Sequence, residues 1–385
     1  MKTTMARAMV ATVLATLGLL LVGSLAGPPL AADSSARWTE AAGPDPDPRL
    51  PIPASAAPAA PFIIDRPGSY WLAGDRRCAG DGIRVEADDV TIDLMGFALI
   101  GPDSGATVGI RMNGRRNVEI RNGTVRDFGE RGVHDRNEPG TAFGKRLLDL
   151  RSLSNGSCGL CIGGDGNLIR GCTVAGNKGT GLCCGRSLVV DNTFLGNETG
   201  GISAGEGSRV VGNTVRGSGR TGISARTGCL IRDNVVSRSA NSGIYAEFGC
   251  LLEGNVAFAN NLSDTTDSYG GFKVVGDCLV RGNLARDNRR CNLLALRSGN
   301  VVAGNLATAS TDSLGDGFLF RRPENWFGSN WASHNRRDFA GELPDRATAA
   351  ENVALPHWTG PAAPAATAAR AATPGSVPAP SGDRR

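Results

Sequence analysis

Between residues 81 and 335 the apolar positions fall in short alternating runs, and no segment sustains a 3.6-residue period. A Gly followed by an aliphatic or aromatic residue recurs at Gly82-Ile83, Gly109-Ile110, Gly132-Val133, Gly159-Leu160, Gly181-Leu182, Gly201-Ile202, Gly222-Ile223, Gly243-Ile244, Gly271-Phe272 and Gly317-Phe318, with Asn292-Leu293 standing in once. The steps between the apolar members are 27, 23, 27, 22, 20, 21, 21, 28, 21 and 25 residues. About ten residues later an Asn recurs, at Asn192, Asn213, Asn234, Asn255, Asn283, Asn305 and Asn330, with Cys172 in the equivalent place one repeat earlier. A short apolar run such as Leu188-Val189-Val190 or Leu230-Ile231 precedes it.

A period near 21 with two short strands per repeat predicts a solenoid of parallel strands rather than a helical repeat. Gly and Asn in every repeat would break helices. One coil cannot bury its inner face alone, so neighbours must stack over a shared core. The expectation is an all-β, right-handed parallel β-helix of about eleven coils, with the asparagines laddered at one bend. Strand alternation then separates two columns. Arg84, Arg111, His134, Cys161, Cys183, Ser203, Ser224, Tyr245, Lys273 and Leu294 point outward; Val85, Met112, Ile162, Cys184, Ala204, Ala225, Ala246, Val274 and Ala295 point inward. Asp135 breaks the inner column, so the chain is expected to leave the coil there, and a second excursion is expected at 262–269.

Composition sharpens this picture at the ends. Residues 1–26 read as a signal peptide: Lys2 and Arg7 precede an uncharged, mostly apolar run closing on Ser24-Leu25-Ala26, with an uncleaved anchor as the competing reading. Residues 27–61 hold nine prolines and read as a Pro/Ala-rich linker, 62–80 as an N-terminal cap, 81–335 as the β-helix, and 336–385 as a disordered Ala/Pro-rich tail. The protein is therefore expected to be secreted or periplasmic, with no stable transmembrane domain after cleavage. Gly makes up 54 of 385 residues without a three-residue period, which excludes collagen, and 41% hydrophobic residues exclude disorder throughout. A net charge of +4 gives no case for nucleic acid.

The opening Pro67-Gly68-Ser69-Tyr70-Trp71-Leu72, the first coil from Gly82 to Leu94 and the Gly-Ile/Asn repeat resemble the secreted right-handed β-helix proteins of the pectin-lyase-like superfamily over residues 62–335. That group includes pectate lyases, polygalacturonases, alginate epimerases and periplasmic proteins of the copper-maturation NosD type. The resemblance implies a polysaccharide partner and a groove on the outward strand face. One scaffold hosts many functions, and Gly-His-Gly, Asn-Thr-Asp and Asp-Pro-His-Asp are all missing from the chain.

The catalytic candidates are His134 as acid or base, with Arg111, Arg84 and Lys273 to hold a uronate carboxylate. His134 with Cys161 and Cys183 is the alternative metal set, and a solvated surface His is the third reading. Calcium would be the cofactor of a lyase, although no cluster of Asp marks a site for it. Ten cysteines in an exported chain suggest oxidation, with Cys161–Cys183 as the outward disulfide candidate and Cys229, Cys250 and Cys278 stacked in one column. Three function classes remain open at this point. They are a lyase- or epimerase-like enzyme on a polysaccharide, an acidic one among the options; a non-catalytic glycan-binding module or envelope scaffold; and a NosD-type metal-handling protein.

Overall fold

The computed structural model describes residues 49–56, 60–135, 143–263, 269–309, 315–343 and 352–354. The signal-peptide segment and most of the linker and tail lie outside these residues. Among the described residues there is no helix, and every strand pairing is parallel.

The chain winds as a parallel β-helix. One sheet has thirteen strands, a single strand from each coil, running from Phe62–Ile64 to Arg337–Gly341. Eleven of these lie within 81–335, as expected, and one more is added at each end. The remaining strands form a second sheet of twenty-five. Val118–Arg126 and Arg146–Leu153 run unbroken through the corner between its two faces, and Val118–Arg126 pairs with both Val90–Asp93 and Ala98–Ile100.

The coils continue past the expected edges. Leu50–Ile52, inside the expected linker, pairs with Gly68–Leu72 and buries Ile52 completely. The expected cap at 62–80 is itself a coil, since Phe62–Ile64 pairs with Ile83–Val85. Arg337–Gly341 and Val353–Ala354, inside the expected tail, pair with Asp316–Phe320 and Trp331–Ser333. Apolar side chains at Ile52 and Phe339 gain a neighbouring coil to pack on, which the proline content around them did not reveal.

A single continuous core fills the coil interior from Ile52 to Ala332. The alanines of the inner column, Ala204, Ala225 and Ala246, are buried as expected. The last coils are filled instead by rings, with Phe318 stacked on Phe339 at 5.2 Å between centroids and Phe320 against Phe327 at 4.9 Å. The Gly before each apolar residue has a steric cause. A Cβ on Gly222 would lie 2.3 Å from Val236 Cγ1 and 2.6 Å from the carbonyl oxygen of Gly243.

The asparagines form the expected ladder. The Asn213 backbone N–H and Nδ2 both donate to Asn234 Oδ1, at 2.9 and 3.0 Å, and Asn234 makes the same pair of bonds to Asn255. The ladder runs from Cys172 to Asn352. Two further ladders occupy other corners. One links Asn155, Asn177 and Asn197 and resumes at Ser239, Asn260 and Asn288. The other runs through Asn167, Ser187, Ser208 and then Cys229, Cys250 and Cys278 to Asn300 and Asn325. The three cysteines do stack in one column, and each thiol donates to a carbonyl of the preceding coil at 3.0–3.2 Å. Each ladder satisfies polar groups that burial would otherwise leave unpaired.

Candidate functional site

The outward column has the register expected from its spacing. Arg84 pairs with Arg111, Arg111 with His134, His134 with Cys161, Cys161 with Cys183, and so on through Ser203, Ser224, Tyr245 and Lys273 to Leu294. Its two ends differ in chemistry. Leu294 is fully buried, in a small cluster with Cys291, Leu319 and Ala340, so the outward face stops being open there.

At the early end the cations are engaged by carboxylates. Arg111 Nε lies 3.0 Å from Asp81 Oδ2, and Arg84 Nη1 lies 3.9 Å from Glu86 Oε1. Asp81 is mostly buried, so the Arg111 pair is a built contact rather than a loose surface one. His134 is half-buried, and its Nδ1 is enclosed without a hydrogen-bond partner. Burial first, then the charges of Arg131 and Arg111, hold its pKa below the usual 6.5. The imidazole is neutral at pH 7.

His134 and Lys273 stand six strands apart, about 29 Å at the usual inter-strand spacing. The four residues expected to act together therefore occupy two places: Arg84, Arg111 and His134 in one, Lys273 in the other. The proposed metal set fares no better. His134, Cys161 and Cys183 stand on consecutive strands, but among the described residues no three His, Cys, Asp or Glu side chains converge to hold an ion. All ten cysteines are free thiols, and the sulfur against Cys183 belongs to Cys158, not to its strand partner Cys161.

The expected excursion after Asp135 has an unexpected anchor. Asp135 and Lys145 stand on either side of residues 136–142, which lie outside the described set. Both side chains are fully buried, with Lys145 Nζ 2.7 Å from Asp135 Oδ2. Asp135 Oδ1 also accepts from the Gly114 N–H at 2.6 Å, and Lys145 Nζ donates to the Gly163 carbonyl at 3.1 Å. Asp135 thus breaks the inner column because its carboxylate turns inward and is neutralised there.

The open part of the column is a cleft of about 310 Å³. Ser203 and Ser224 form its floor, because short side chains on two adjacent strands leave a depression between larger neighbours. Thr180, Thr199, Thr221, Arg220, Asn241 and Ser242 supply hydroxyls, an amide and a guanidinium around it. Tyr245, Tyr269 and Lys273 make the far wall. Lys273 Nζ sits 5.4 Å from the Tyr245 ring centroid and 4.9 Å from that of Tyr269. Aromatic faces attract a cation, and here two of them hold it in place.

Among the described residues no carboxylate pairs with Lys273, and burial alone pushes its pKa below the usual 10.5. Tyr245 is shifted upward by burial and by Glu247. The described lining contains no Asp or Glu, so the paired carboxylates of most glycoside hydrolases are not provided here. Sequence reading placed Lys273, Ser203 and Ser224 in the groove but missed Tyr269, Thr180 and Arg220. The only available signal for Tyr269 was its place at the end of the long 28-residue step.

A family model described as a right handed beta helix region matches residues 108–285. No curated protein matches the chain. Among solved structures, the chain is similar to the A-module of the mannuronan C-5 epimerase AlgE4 of Azotobacter vinelandii, at 14% identity, covering 80% of this chain and 87% of that one, with a TM-score of 0.45. It is similar to a mutant of the periplasmic alginate epimerase AlgG at 12% identity, covering 77% of each chain, with a TM-score of 0.47. The Agl-KA catalytic domain gives 12% identity, 80% of this chain against 62% of that one, and a TM-score of 0.51. At 12% identity the likeness to the Agl-KA catalytic domain is one of fold, and the family model describes that fold as a right-handed β-helix.

Proposed function

We propose that this right-handed parallel β-helix protein is exported and binds an extended acidic polysaccharide in the cleft between Ser203 and Lys273. The observation that carries the reading is Lys273 itself. It is a half-buried cation without a carboxylate partner among the described residues, clamped between two tyrosine rings at the end of a hydroxyl-lined trough. Such a cation favours an anion that arrives from outside, and in low dielectric a single charge-assisted bond is stronger than in water. Tyrosine faces suit the flat apolar side of a sugar ring, while serine, threonine and asparagine match its hydroxyls. From Ser203 to Lys273 the cleft spans three inter-strand steps, about 14 Å, so the bound chain runs along the solenoid axis.

The arrangement supports binding more strongly than hydrolysis, since the described lining offers no acid–base carboxylate pair. Affinity electrophoresis in gels containing polyuronate or neutral glucan tests the reading. Wild-type protein is expected to be retarded only by the polyuronate, and Lys273→Met to migrate freely in both. Equal retardation by the neutral polymer, or an unchanged Lys273→Met variant, would contradict it.

A further inference from the structure

Three sulfurs beside the cleft have no part in holding sugar. Cys158 closes the turn before the strand Leu160–Ile162, and Cys183 lies within Leu182–Cys184 on the next coil. Their Sγ atoms are 3.7 Å apart, and both residues are only partly buried. Cys161 and Cys183 line a second cleft of about 310 Å³, which opens this region to a small molecule. Thr180 contacts both members of the pair, its backbone N–H toward Cys158 and its side chain toward Cys183, and Thr180 also lines the sugar cleft. Six other cysteines, Cys78, Cys172, Cys229, Cys250, Cys278 and Cys291, are buried.

We propose that Cys158 and Cys183 are a redox-active dithiol that takes a small organic disulfide as oxidant, and that oxidation staples two coils at the lip of the sugar cleft. The Cys158 thiolate attacks one sulfur of the disulfide RSSR. The RS–SR bond breaks, one RS⁻ leaves and takes a proton from water, and a mixed disulfide forms on Cys158. Cys183 then gives its proton to solvent and attacks the Cys158 sulfur, expelling the second RS⁻, which takes up a proton from solvent. Two protein thiols lose two electrons, and one RSSR becomes two RSH.

The surroundings assign the roles. Contact with the Cys183 sulfur, the Thr180 N–H, the Ser157 side chain and the charge of Arg131 together outweigh burial and lower the Cys158 thiol below its usual range. The Thr180 N–H and the Arg131 charge beside Cys158 favour its thiolate, the form that attacks. Cys183 is pushed upward by its contact with the Cys158 sulfur and by burial. Cys161 is pushed up to about 11 by burial and by the negative charge of Cys158, with Glu130 and Asp135 adding to it. Cys158 is the nucleophile, Cys183 resolves, and Cys161 is a bystander despite its C-x-x-C spacing. This inference stands apart from the polysaccharide reading, because its readout is sulfur chemistry alone.

The test uses the reduced full-length chain, glutathione disulfide at pH 7, acid quenching, alkylation and peptide mapping. The expected product is a Cys158–Cys183 linked peptide with two glutathione thiols released per bond. Cys183→Ser should stop at a mixed disulfide on Cys158, and Cys161→Ser should behave as wild type. On the wild-type protein, iodoacetamide should label Cys158 at least tenfold faster than Cys161. A Cys161–Cys183 or Cys158–Cys161 link, or labelling of Cys158 no faster than buried Cys172, would overturn the proposal.

Discussion

Replacing Lys145 by Met removes one half of an ion pair that no water reaches. Asp135 would keep its Gly114 N–H contact but lose the ammonium 2.7 Å from its other oxygen. A buried charge left without its partner costs about 3–5 kcal/mol. Asp135→Leu strands the ammonium instead, at a similar cost. Made together, the two changes remove both charges and leave two orphans, the Gly114 N–H and the Gly163 carbonyl. At about 1 kcal/mol each, the double variant should lose roughly 2 kcal/mol, far less than the sum of the singles. The coupling should thus reach about 4 kcal/mol or more, read as a double-mutant cycle. Urea denaturation followed by tryptophan fluorescence supplies the four stabilities. Single variants that each cost under about 1 kcal/mol, or a double variant as unstable as the singles combined, would refute the reasoning. The pair matters for the surface because Asp135 directly follows His134 in the chain and fixes where that strand ends.

Asn234→Ala should destabilise the solenoid by about 2–4 kcal/mol, because the Asn213 N–H and the Val210 and Arg232 carbonyls lose partners that burial does not let water replace. The exposed Arg209→Ala, measured by the same denaturation, should stay within about 0.5 kcal/mol of wild type. Polyuronate affinity should also depend on pH in one direction. Lys273 is fully charged below its lowered pKa, so binding should be constant from about pH 6 upward and weaken as pH rises through a value below 10.5. Titration calorimetry across this range checks the sign, and affinity that rises in alkali would contradict it.

The solenoid was legible because its two signals, strand alternation and a Gly that leaves no room for Cβ, repeat in every coil. Register followed from them, which is why the column from Arg84 to Lys273 could be read without coordinates. Features that occur once were not legible. Asp135 reads as a break in an apolar column, and nothing in the sequence ties it to Lys145 across an excursion. Cys158 sits in a turn, outside any strand column, so its approach to Cys183 depends on a diagonal that spacing does not encode. Two of the three ladders were missed for a related reason: serines and cysteines replace asparagine at several of their steps, while the other keeps asparagine at every step from Asn192 to Asn352. The site divided for the opposite reason. Column order was right, and the six inter-strand steps it places between His134 and Lys273 already keep them about 29 Å apart. Carboxylates outside the column, Asp81 and Glu86, then engage Arg111 and Arg84.

A crystal structure of the protein with a short oligouronate tests the central claim most directly. The sugar chain should lie over Ser203 and Ser224, parallel to the solenoid axis, with one carboxylate within ion-pair distance of Lys273 Nζ and a ring against Tyr245 or Tyr269. An oligouronate seated instead against Arg84, Arg111 and His134, or on another face of the solenoid, would contradict it.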